Sequence, residues 1–254
     1  LIKGIFCEDE LFGFAASIGH LAEIGGKAVG GLAGDATDVY QEGLQLPPVK
    51  LMKGGKHVMD IWKIMMANHR TPKLTWGDLH AMLGSLTIGE KRLKELVLSR
   101  GIDQTTAECK ELMRRSEHWM RAEIKAIPCG EYFFEDWMEN DGITDEARRL
   151  QVTVTVREDE IIADFTGTDA QTRGPINATY AVTAAATYNA VFQLTDANIP
   201  RNAGCNKPIK IIAPAASLVN SEHPAPEVGG NSETHCRIIG IVMGALAQAV
   251  PERA

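Results

Sequence analysis

The spacing of apolar residues changes sharply at Pro128, and that change limits the folds open to this chain. Over 56–127 apolar residues recur at helical intervals; after Pro128 they alternate with polar ones at a period of two. The spacing predicts a helix over 56–70, with Val58, Ile61, Trp62 and Met65 on one face. Thr71-Pro72 stops it, because proline disfavours helical geometry in the residue before it. A longer helix is predicted over 76–100, with Gly101 as its C′ residue. A Thr105/Glu108 capping box opens a third, whose apolar stripe is Cys109, Leu112, Met113, Met120, Ile124 and Ile127.

Both flanks of this helical block read differently. Residues 5–18 predict two strands about the acidic turn Glu8-Asp9-Glu10, and 25–55 a Gly/Pro-rich loop of a length that is usually functional. Past the block, 131–138 is strand-like and Asp141-Gly142 is a turn signal. Val152, Val154 and Val156 alternate with Thr153 and Thr155, and Glu158-Asp159 turns the chain back into 161–165. A helix over 179–194, a buried strand over 207–213 and a closing helix over 234–249 complete the series. This order argues for an α+β fold: mixed and antiparallel strands with a central helical block, not a regular βαβ series. Three stretches follow: 1–55, strand pair and loop; 56–127, helical; 128–254, α+β.

Composition bounds the function classes. At 254 residues and 44% hydrophobic the chain can bury a core without disulfides. A net charge of −7 opposes nucleic acid as the main partner, and no apolar run reaches the ~18–20 residues of a membrane span. Five scattered cysteines without a CxxC pair suit a reducing cytoplasm better than a disulfide framework or a zinc–thiolate site. No signal-peptide pattern opens the chain. Leu1 is not an initiator methionine, and the last apolar helix runs almost to the end. The expectation is an internal piece of a longer protein, hence an incomplete domain.

Few motifs carry chemistry. Gly26-Lys27-Ala28 and Gly55-Lys56-His57 both fail the phosphate-loop pattern, so ATP, if used, binds on another subunit or segment. Ser232, His235 and Cys236 are neighbours without a nucleophile elbow; capping or anion contact by Asn231 or Ser232 competes with a nucleophile there. His57, His69, His80 and His118 have no second ligand one helical turn on, and read as surface or packing residues; His223 reads as a loop residue. His20 differs: it closes the predicted hairpin directly before the long loop, with Glu23 three residues on. An imidazole and a carboxylate make half of a divalent-metal site, which needs three or more protein ligands. Three polar residues are further candidates. Glu42 sits in a Glu-Gly turn of the long loop, where an active-site role competes with a salt bridge or cap. Asn177 orients a substrate or holds a turn after Pro175. Asn231 presents an amide at a helix start, where partial positive charge favours an anion.

An ordered set of segments resembles the hydantoinase B/oxoprolinase family, which includes the large subunits of acetone and acetophenone carboxylases. The set comprises Gly19-His20-Leu21-Ala22-Glu23-Ile24-Gly25-Gly26, residues 38–50 (Asp38-Val39-Tyr40-Gln41-Glu42-Gly43 onward) and Asn68-His69-Arg70-Thr71-Pro72. It continues with Asp164-Phe165-Thr166-Gly167-Thr168, Gly174-Pro175-Ile176-Asn177, Gly229-Gly230-Asn231-Ser232-Glu233-Thr234 and residues 245–253. The resemblance implies a catalytic divalent metal (Zn or Mn) held in part by His20, with Glu23 beside it and further ligands from an upstream Gly-Thr-His-x-x-Asp segment that these residues lack. Many members have a second His where Leu21 stands and Asp where Glu23 stands. It also implies a hetero-oligomer in which an A-type partner binds ATP/Mg and phosphorylates a carbonyl or amide oxygen. The implied activity is cyclic amide hydrolysis of the hydantoinase or 5-oxoprolinase type; the alternatives are a ketone carboxylase subunit and a non-catalytic scaffold.

Overall fold

A computed structural model describes residues 1–253. Contacts divide the chain into two compact units. Leu1–Gly25, Val29–Gly31 and Leu44–Glu111 form the first; Gly26–Ala28, Leu32–Gly43 and the chain from Leu112 onward form the second. The three stretches drawn from the sequence follow runs of one character, whereas the units follow contacts, so the long loop is shared between them.

The first unit opens with the antiparallel hairpin β1 (Ile2–Cys7) and β2 (Glu10–Ala16). Its turn residues Glu8 and Asp9 both take positive φ, the geometry that suits the strands' right-handed twist. Ile5 and Cys7 point inward, and Lys3 reaches Glu90 at 2.5 Å. The long loop contains only the short turns Val29–Gly31 and Val39–Gln41 before the two-residue strands β3 (Met52–Lys53) and β4 (Lys56–His57). Helix α1 (Met59–Ala67) therefore starts later than its apolar spacing suggests: Gly54 and Gly55, both at positive φ, turn Lys56 and His57 into a hairpin. Helix α2 (Pro72–Arg100) starts earlier than predicted, because proline at the first helical positions gives up an N–H that has no partner there anyway. Gly101 ends it, its N–H donating to the Val97 carbonyl. Trp62, Met65 and Leu79 form the buried centre, with Leu21, Leu44, Leu51 and Trp76 against it.

Helix α3 (Ile102–Lys125) corrects the predicted capping box. Thr105 lies inside the helix and is buried, its hydroxyl donating to the Gly101 carbonyl at 2.8 Å, while the Glu108 carboxylate binds Arg100 and Gln104. The apolar stripe holds only towards its C-terminal end: Met120, Ile124 and Ile127 are buried, whereas Cys109 and Leu112 are exposed.

In the second unit β5 (Gly130–Met138), β6 (Arg148–Arg157) and β7 (Glu160–Asp164) pair antiparallel in sequence order, and β8 (Ile209–Ile212) adds parallel to β7. The crossover into β8 carries α4 (Tyr180–Gln193), which Thr179 caps by accepting from Val182 N–H, and the short α5 (Ala203–Asn206). Helix α6 (His235–Ala247) lies on β5 and β6 and packs on α4. Val152, Val154 and Val156 all face this core and are fully buried, as their alternation predicts; each contributes about 1.5–3 kcal/mol. The α+β expectation holds. Among the described residues no helix is long and apolar enough to cross a membrane.

Candidate functional site

The second unit gathers three sequence-predicted residues around one segment, Pro224 to Thr234. Asp38 caps the short turn Val39–Gln41, accepting from Gln41 N–H, and Glu42 follows directly. Gly26 allows this turn to sit close: it has positive φ, and a Cβ there would lie 2.5 Å from the Gln41 carbonyl oxygen. Glu42 is buried, and its Oε1 accepts from the backbone N–H groups of Glu227 at 2.7 Å and Val228 at 2.8 Å. Burial pushes its carboxyl above the usual range; those two N–H groups oppose the shift, and the charges of Glu227 and Asp38 add to it. Glu42 thus holds a loop through its carboxyl group, with burial favouring the protonated form.

Asn177 grips the same segment from the other side. Its Oδ1 accepts from Thr172 N–H at 2.6 Å, and its Nδ2 donates to the carbonyls of Thr172, Gly174 and Pro226. The side chain is wholly buried and its amide is consumed by backbone, so it acts on the loop. Asp141, read from sequence only as a turn residue, supports this arm. Its buried carboxylate accepts from Ile143, Thr144 and Gly174 N–H groups, and burial, which raises its pKa, is outweighed by those bonds, which hold it low.

The segment then enters a π-helical turn, Gly230–Thr234, that runs into α6. Such turns mark functional sites in many helices. Gly229 donates to the Pro175 carbonyl at 2.6 Å, and a Cβ on Gly230 would lie 1.9 Å from the Asn177 carbonyl oxygen, so only glycine fits. Thr234 is buried and its hydroxyl donates to the Ile176 carbonyl. Asn231, Ser232 and Glu233 are left exposed at the mouth of α6. The expected side-chain cap by Asn231 or Ser232 is absent; the turn is closed by backbone bonds to Gly229 instead.

The first unit holds His20 and Glu23. His20 follows β2 in an exposed coil and makes no hydrogen bond. Glu23 is buried, and its carboxylate accepts from Gly25 N–H, Arg70 N–H and the Arg70 guanidinium, each at 2.7 Å. Burial pushes its pKa up, but the Arg70 and Gly25 N–H groups and the guanidinium more than offset it and hold the carboxyl low. Arg70 was legible only as part of the Asn-His-Arg-Thr-Pro segment, since its partner is distant in sequence. Among the described residues no three His, Cys, Asp or Glu side chains come together as metal ligands. A carboxylate already filled by three donors and one free imidazole do not fit a complete divalent-metal site; they leave His20 as a single open donor.

The family model described as hydantoinase B/oxoprolinase matches residues 1–254. The putative B-type component of a D-/L-hydantoinase from Pseudomonas sp. (strain NS671) is 35% identical over 98% of this chain and 44% of its own length. The beta subunit of the caprolactamase from Pseudomonas jessenii is 30% identical over 100% of this chain and 44% of its own. The crystal structure of the ATP-dependent caprolactamase from that organism superimposes with a TM-score of 0.91 at 29% identity, over 99% of this chain and 44% of that one. A nucleotide-free acetone carboxylase shares the fold, with a TM-score of 0.82 at 18% identity over 91% of this chain and 32% of that one. The chain thus spans less than half the length of the curated relatives it matches, and two of these are named as subunits. The chain belongs to the hydantoinase B/oxoprolinase family.

Proposed function

We propose that the chain is part of a B-type subunit of an ATP-dependent cyclic amide hydrolase of the hydantoinase or 5-oxoprolinase type. The observation that carries this reading is the likeness of nearly the whole backbone to an ATP-dependent caprolactamase. In this reading an A-type partner binds ATP/Mg and transfers a phosphoryl group to the amide oxygen. Water adds at the activated carbon, the ring C–N bond breaks with the nitrogen taking a proton and staying on the opened chain, and hydrolysis of the resulting acyl phosphate releases the ring-opened acid and phosphate. Asn231, exposed at the start of α6, meets the developing negative charge, where helix N–H groups favour an anion. Glu42 and Asn177 hold the segment that presents it. Beside the long loop, His20 is the open ligand for a divalent metal (Zn or Mn), which when bound would activate water or polarise a carbonyl; its other ligands would come from outside these residues. Glu23 sets the backbone that follows His20. The unpaired thiols suit a reducing compartment, and the cytoplasm is the proposed location.

The test uses the full-length protein with its A-type partner. ADP release is measured with hydantoin, 5-oxoproline or caprolactam, and separately with a ketone plus bicarbonate. Amide-dependent ATP turnover with a ring-opened product is expected. Turnover only with ketone and bicarbonate replaces this reading with a carboxylase. Amide turnover unchanged by both Asn231→Ala and His20→Ala would assign these residues to a scaffold.

A further inference from the structure

We propose that His57 and His80 form a second, separate metal site, for a divalent ion of the nickel or copper type. His57 ends the small β3–β4 hairpin and His80 lies on α2; their Nε2 atoms are 2.9 Å apart. The tautomer of His80 follows from its other nitrogen. Nδ1 lies 2.7 Å from the Trp76 carbonyl, which can only accept, so Nδ1 carries the proton and the Nε2 lone pair points at His57. A backbone carbonyl on the far nitrogen is the usual support of a metal-bound imidazole, because it fixes the ring's orientation and raises its basicity. Indoles hold the rings in place: His80 stacks on Trp76 at 4.5 Å between centroids, and His57 stands edge-on to Trp62 at 5.0 Å. Trp62 is itself tied to the hairpin through Nε1–H to the Leu51 carbonyl at 3.0 Å. Both imidazoles are only half-buried, so an ion reaches them from solvent.

The separation is that of a hydrogen bond and also of a right-angle pair of metal ligands. Two nitrogens at roughly 2.0–2.1 Å from one metal lie about 2.9 Å apart at a right angle and about 3.3–3.4 Å apart at a tetrahedral angle. The observed spacing is that of adjacent corners of a tetragonal or octahedral site. Without an ion, His57 Nε2–H donates to His80 Nε2. On binding, the His57 ring tilts, its proton moves to Nδ1 through solvent, and both Nε2 lone pairs turn to the metal. No third His, Cys, Asp or Glu joins them among the described residues, so water completes the coordination.

Nickel binding to the full-length B-type protein in complex with its partner tests this, by titration calorimetry in a His20→Ala background. One Ni²⁺ per chain is expected, with affinity at least tenfold weaker in His57→Gln and in His80→Gln. Nickel-edge X-ray absorption of the parent protein, which does not depend on those variants folding, is expected to show two imidazole nitrogens. Absence of Ni²⁺ binding, binding undiminished in the His57→Gln/His80→Gln double variant, or a spectrum without two imidazoles overturns the proposal.

Discussion

Glu23 and Glu42 are both buried carboxylates, and their partners send them in opposite directions. Glu23 meets a guanidinium and two N–H groups and is held low; Glu42 meets two N–H groups against burial and negative neighbours and is pushed up. The linkage signs follow. Glu23 contributes stability above the ordinary glutamate range and loses it as pH falls through its lowered value. Glu42 contributes below that range and loses its contribution as pH rises through its raised value. Glu23→Ala leaves the Gly25 and Arg70 N–H groups short of an acceptor, and is expected to cost about 2–3 kcal/mol at pH 7, less at acid pH. Glu42→Gln keeps an acceptor oxygen and is expected to stay within about 1 kcal/mol of wild type at pH 7. Denaturant unfolding of both variants across pH 2–8 checks this; a Glu23→Ala penalty that grows on acidification would contradict it. From sequence the spacing of Glu23 from His20 was visible, and its contact with Arg70, distant along the chain, was not.

At the level of elements the decisive contact is between the Gly174–Asn177 arm and the Gly229–Gly230 step. Gly230→Ala drives a methyl group into the Asn177 carbonyl and is expected to destabilise by about 3 kcal/mol or more, with turnover lost. Thermal melting beside activity measures both, and a variant that melts normally would show that the segment can move aside. Long periodic elements were legible: β6 from its valine alternation, α4 from Thr179 and its alanine-rich run. Helix starts were less so. Gly54-Gly55 diverted His57 into a hairpin, Pro72 opened α2, and Thr105 turned its hydroxyl back along α3 rather than capping it. Each is a local choice in which turn chemistry or the preceding helix end outweighs apolar spacing.

For the whole molecule, two units built from interleaved stretches explain why a linear division of the chain describes its composition better than its contacts. The relatives' length places more than half of a B-type polypeptide beyond the part matched here, and a metal centre assembled across such a polypeptide needs ligands from that remainder. Elemental analysis of the full-length complex is expected to show about one Zn or Mn per B-type polypeptide, with His20→Ala reducing it at least tenfold. Metal content unchanged by that substitution would remove His20 from the ligand set.

Period and turn chemistry are properties of neighbours in the chain, so the α+β class, the β6–β7 hairpin, α4 and the family segments were readable from residues alone. Which carboxylate finds a guanidinium, which asparagine reaches the Pro226 carbonyl and which two histidines face each other depend on residues tens of positions apart. Those pairings are decided by packing, because burial leaves each polar group only the partners that the fold carries to it.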